Sequence, residues 1–107
     1  MVRIITNNKK KIKFPMVADP AGILSRAYNT YVENKGVAIR ATFIIDPDGI
    51  VKSIEMTDEN IGRSAKETLR KLKAAKFVNE NPGLVCPASW EPGEKTLKPG
   101  LDLVGKI

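Results

Sequence analysis

The sequence predicts an α/β layer protein with helices lying against a mixed β-sheet, and three stretches carry that reading. Residues 37–45 alternate side to side and are followed by Asp46-Pro47-Asp48-Gly49 and a second extended run, which together spell a hairpin. Asp19-Pro20 opens one helical pattern, and Ser64 with Glu67 opens another. The resulting order is strand, helix, strand, strand, helix.

Taken from the start, residues 1–6 (MVRIIT) are short, β-branched and apolar, the composition of an edge strand. Residues 7–11 are polar and basic, a loop, and residues 12–18 read as a short buried strand bent at Pro15. Asp19 offers an N-cap oxygen, and Pro20 stands at the first helical position, where its missing N–H costs nothing. Ile23 with Ala27 and Leu24 with Tyr28 form an apolar stripe that can lie on a sheet, in a helix ending near Asn29. Residues 30–36 are a polar connection. In 37–45, Val37, Ile39, Ala41, Phe43 and Ile45 share one side, so Arg40 points the same way as Thr42. The turn has Pro at its second position and Gly where positive φ is needed, and residues 50–57 return as the partner strand. Ser64-x-x-Glu67 is a capping box ahead of Leu69, Leu72 and Ala75, in a helix running to about Val78.

Composition narrows the chemistry. The only cysteine, Cys86, sits among Pro82, Gly83, Pro87, Pro92 and Gly93, which interrupt regular backbone and put the thiol on a loop. Two readings of that thiol stand at this point: a redox group, or a small buried hydrophobe. A lone cysteine forbids an internal disulfide, so any covalent bridge reaches another chain or a small thiol. The absence of histidine removes Ser/His/Asp and Cys/His catalysis and most zinc sites, and neither a metal nor a cofactor is expected. The net charge of +6 comes partly from Lys9, Lys10, Lys11 and Lys13 and partly from Lys66, Arg70, Lys71, Lys73 and Lys76. The second group falls on the solvent side of the helix, and no aromatic is interleaved among these residues, so a solubilising face is expected and not a nucleic-acid surface. No apolar run approaches the roughly 18 residues of a membrane span, and residues 1–13 hold too short an apolar segment for a secretory signal. A cytoplasmic, non-membrane protein is expected.

Four motifs, in order, carry a resemblance to a family. They are Phe14-Pro15-Met16-Val17-Ala18-Asp19, Arg40-Ala41-Thr42-Phe43-Ile44-Ile45-Asp46, Gly62-Arg63-Ser64, and Val85-Cys86-Pro87-Ala88-Ser89-Trp90 continuing to Lys98-Pro99. Together they resemble the typical two-cysteine peroxiredoxins of the alkyl hydroperoxide reductase C-subunit type, over nearly everything after Lys13. The resemblance implies a partial thioredoxin-like fold, a mixed sheet with flanking helices, completed by another chain. It implies one domain over 1–107, with a divergent segment at 1–13 and a resolving-cysteine tail at 79–107.

In that family a peroxidatic thiolate attacks the peroxide and becomes a sulfenic acid, which a resolving cysteine from the partner subunit converts to a disulfide. Cys86 matches the resolving position. The family's P-x-x-x-T-x-x-C motif is absent from these 107 residues, so the chain resembles the C-terminal half of a peroxiredoxin. Arg40 matches the arginine that stabilises the thiolate and polarises the peroxide; a structural ion pair is the other reading. Arg63 matches a family position for which a structural role is expected, and Trp90 is expected to be a packing anchor. The implied partners are a second copy or a chain carrying the peroxidatic half, and a thiol/disulfide reductant. The alternative function is a non-catalytic oligomerisation or interaction protein.

Overall fold

The computed structural model describes residues 12–106 and the backbone of residues 3–5. In chain order the elements are β1 (Arg3–Ile5), β2 (Met16–Ala18), α1 (Ile23–Ala27), β3 (Tyr31–Val32), β4 (Val37–Ala38), β5 (Arg40–Ile45), β6 (Val51–Thr57), α2 (Ala65–Glu80) and a 3-10 turn at Leu101–Leu103. The expected α/β arrangement is present. In place of one mixed sheet, however, the strands pair as three two-stranded sheets, β1 with β2, β3 with β4 and β5 with β6. Strands of two or three residues offer few free N–H and C=O groups on which a wider sheet can grow. No helix among the described residues is long and apolar enough to cross a membrane.

The chain divides into two compact units. One takes in the described residues up to Ala41 with Met56–Ile61; the other takes in Thr42–Glu55 and the described residues from Gly62 onward.

In the first unit β1 and β2 run antiparallel, with Ile4 opposite Val17. The loop expected at 7–11 lies outside the described residues. The strand expected to be buried at 12–18 is shorter and only partly covered: Met16 and Ala18 are half-buried, Val17 is 45% accessible, and Phe14 ahead of the strand is 68% accessible. The first helix begins at Ile23, not Pro20, because the Gly22 N–H donates to Asp19 O at 3.0 Å and makes Pro20-Ala21 a turn. Asp19 still acts as a cap, displaced by a turn: its Oδ2 accepts from Ser25 N and from Ser25 Oγ, each at 2.9 Å. These bonds, led by the one from the Ser25 backbone, hold its carboxyl below the ordinary value of 3.8. The stripe expected to lie on a sheet is open to solvent at Ile23, Leu24 and Tyr28.

The polar connection at 30–36 contains a small hairpin that the sequence reading missed. Tyr31 faces Ala38 and Val32 faces Val37, with Gly36 at φ 64° closing the turn. Arg26 lies 4.2 Å from the Tyr31 ring centre and pairs with Glu33 at 2.7 Å. Ile39 N donates to Thr30 O at 2.8 Å, and the extended run expected over 37–45 breaks there into β4 and β5.

In the second unit the turn between β5 and β6 forms as read. Asp46 Oδ1 accepts from Asp48 N and Ile50 N, both at 2.9 Å, while Lys52 Nζ stands 3.5 Å from Oδ2. Gly49 has φ 82°, with open space where a Cβ would go, so strain alone decides a substitution there. Gly49→Ala is expected to lower unfolding stability by about 1–2 kcal/mol in urea titration. Ile44 is buried at 7% accessibility, whereas Ile45, Ile50 and Ile54 on the hairpin remain exposed.

At the start of α2, Ser64 Oγ accepts from Glu67 N at 3.1 Å. The capping box is half used, because the Glu67 carboxylate turns to Arg70 at 2.7 Å. Ser64→Ala is expected to cost about 1 kcal/mol, read from the denaturation midpoint. The helix ends at Glu80, slightly beyond the expected Val78, and Leu69 and Leu72 stay half exposed.

Candidate functional site

Cys86 is held between two fixed points. On one side Val85 bridges Leu97, with N–H···O distances of 2.7 and 2.8 Å. On the other, Trp90 N donates to Pro87 O at 3.1 Å and folds residues 87–90 into a turn. The thiol is therefore on a loop, as Pro82, Gly83 and Pro87 imply. It is half-buried, and its Sγ–H points at Ala74 O, 4.0 Å away on α2. Burial raises its pKa above the ordinary value of 9.0, so at neutral pH it is a protonated thiol, a poor nucleophile until it loses the proton.

The loop lies along one stripe of α2. Arg70, Ala74 and Phe77 recur at intervals of four and three, which brings them onto one face. Each meets the loop: Arg70 Nη1 donates to Trp90 O at 3.0 Å, Ala74 receives the thiol, and the Phe77 ring lies 4.9 Å from the Trp90 ring at 47°. Trp90 is 2% accessible, with Nε1 donating to Glu94 O at 3.1 Å. It has the packing role expected of it.

Arg70 corrects the sequence reading, which put it on the solvated face with its lysine neighbours. Its side chain is 19% accessible, and Nε and Nη2 hold both oxygens of Glu67 at 2.9 and 2.7 Å. This charge-assisted pair lowers the Glu67 carboxyl from its ordinary value and raises the Arg70 guanidinium. The Glu67-x-x-Arg70 spacing was a visible signal of the pair. Nothing local signalled the bond to Trp90, twenty residues on.

Arg63 Nη1 donates to Thr42 Oγ1 at 3.3 Å, a strut between the start of α2 and β5. Arg40 opens β5 with an exposed side chain. It lines a cleft of about 560 Å³ with Lys35, Thr57, Asp58 and Glu59, all within the first unit. Cys86 belongs to the second unit. Among the described residues, no group of His, Cys, Asp and Glu is arranged to hold a metal ion.

A profile of the AhpC/TSA family matches residues 5–54, and one of the C-terminal domain of 1-Cys peroxiredoxin matches residues 74–105. Alkyl hydroperoxide reductase C of Escherichia coli (strain K12) is 56% identical over 97 residues, 91% of this chain and 52% of that protein. The crystal structure of Enterococcus faecalis AhpC aligns with TM-score 0.67 at 51% identity, over 72% of this chain and 46% of that one. Reduced Plasmodium vivax 2-Cys peroxiredoxin aligns with TM-score 0.78 at 34% identity, over 85% of this chain and 46% of that one. The chain spans about half the length of the curated relatives it matches.

Proposed function

Because this chain belongs to the AhpC/TSA peroxiredoxin family and corresponds to the C-terminal half of an alkyl hydroperoxide reductase C-type protein, we propose that it supplies the resolving thiol of a peroxide-reducing site. The observation that carries the reading is the mounting of its one thiol. Cys86 is docked on a loop and pinned at both flanks, and burial moves its pKa further up from an ordinary value of 9.0 that already keeps it protonated at neutral pH. That suits a thiol that waits for an activated partner, since the attack on peroxide itself needs a standing thiolate.

The step is a condensation with a cysteine sulfenic acid on another chain. The Cys86 sulfur attacks the sulfenyl sulfur, an S–S bond forms and the S–O bond breaks. The departing hydroxide takes up the proton that Cys86 gives up and leaves as water. The sulfenyl sulfur is reduced and Cys86 is oxidised. A thiol/disulfide reductant then restores both thiols. In a completed site, Arg40 stabilises the attacking thiolate and the peroxide oxygens through charge-assisted hydrogen bonds. A second copy in a homo-oligomer can complete the fold, but the sulfenic acid comes from a chain carrying the peroxidatic half, because a copy brings only another Cys86; a reducing, cytoplasmic setting suits an unpaired thiol.

The test is non-reducing mass analysis after mild peroxide, with and without a chain that carries a peroxidatic cysteine. A mixed disulfide through Cys86 is expected. Its absence, with the partner oxidised and bound, leaves the second reading, a non-catalytic interaction unit, which the exposed Ile45, Ile50 and Ile54 favour.

A further inference from the structure

We propose that Arg70 is a positioning residue, a latch that holds the Cys86 loop on α2 and thereby sets how readily the thiol is presented. The proposal deepens the resolving-thiol reading and rests on it for its biological meaning. Glu67 takes Nε and Nη2 of the guanidinium fork, which fixes the plane of the group and leaves Nη1 aimed at Trp90 O, 3.0 Å away. Trp90 is almost wholly buried, and a buried carbonyl left without a donor is costly.

The contact reaches the sulfur through a stiff connection. Residues 87–90 are closed by the Trp90 N to Pro87 O bond, and Pro87 follows Cys86 directly, so few torsions separate latch and thiol. With the latch closed, Sγ is tucked toward Ala74 O. A disulfide needs the two sulfurs to come within about 2.05 Å, so the docked thiol must leave that position before another chain's sulfur can bond to it. Arg70 is the charged contact that resists this.

The protein provides its own two reporters, one tryptophan and one cysteine. In the full chain, Arg70→Gln is expected to accelerate alkylation of Cys86 by iodoacetamide roughly tenfold at fixed pH, the scale of one lost hydrogen bond to a charged group. Trp90 emission is expected to shift to the red and become more open to acrylamide quenching, with far-UV circular dichroism unchanged. Arg70→Lys, which can reach Glu67 or Trp90 O but not hold both, is expected to rescue in part. Should Arg70→Gln fold poorly, Glu67→Gln frees the guanidinium while keeping the backbone N–H that Ser64 caps; a smaller acceleration with the same red shift is expected. Parent-like alkylation and emission in whichever of these variants is folded overturns the latch. These measurements use neither peroxide nor a partner chain. A failed latch with an intact mixed disulfide therefore removes this proposal alone, whereas a working latch without the disulfide removes the functional reading.

Discussion

Cys86→Ser is expected to abolish the mixed disulfide completely when the chain meets a partner's cysteine sulfenic acid. The chain has no second cysteine, its three methionine thioethers cannot form the bond, and a serine oxygen cannot replace the sulfur. The pH dependence in the parent chain has a definite sign. Burial raises the Cys86 pKa above 9.0, so the rate of disulfide formation is expected to keep climbing through pH 9 and beyond, where an ordinary thiol begins to level off. The same shift acts on stability. The folded state binds the thiol proton more tightly than the unfolded state, so its contribution is intact below pH 9.0 and declines as pH rises through the higher folded value. Stopped-flow measurement of disulfide formation across pH 7 to 10 checks the first claim, and a plateau reached below pH 9 would contradict it.

Trp90→Ala is expected to cost about 3–5 kcal/mol, a large share of what a domain of this size has. Among the described residues the buried apolar side chains are Ile44 and Trp90, so removing the indole takes away much of the second unit's interior. It also removes the stack on Phe77 and the Nε1 bond to Glu94 O. Truncation leaves a void that a loop clasped by Arg70 cannot readily collapse into, and the cavity adds to the lost transfer energy. Urea titration followed by far-UV circular dichroism gives the number. A loss below about 1 kcal/mol would mean that Trp90 does not anchor the loop.

How much of this was legible depended on sequence distance. The Asp46–Gly49 turn was readable because its bonds, from Asp46 Oδ1 to Asp48 N and Ile50 N, close within four residues. So was the Ser64 cap, which reaches only to Glu67. The Asp19-Pro20 signal pointed to the correct neighbourhood and the wrong first residue, because Gly22 in the left-handed region supplied a turn that Pro20 alone did not announce. The hairpin at Tyr31–Val32 and Val37–Ala38 was hidden by its brevity: two residues show no period.

The residues themselves determined the family resemblance, through the Val85-Cys86-Pro87 and Arg40-Ala41-Thr42 motifs, and a composition of one thiol and no imidazole, along with every feature whose partners lie within a turn or so of chain. The tertiary structure alone decided which apolar sides are covered, leaving Leu69, Leu72 and Ile54 open while Trp90 is enclosed. It also decided that Arg70 turns inward to a carbonyl twenty residues away. The reason is physical. Backbone turns and caps are set by short-range sterics and hydrogen bonds, whereas burial and long-range pairing depend on which distant surfaces the folded chain brings together.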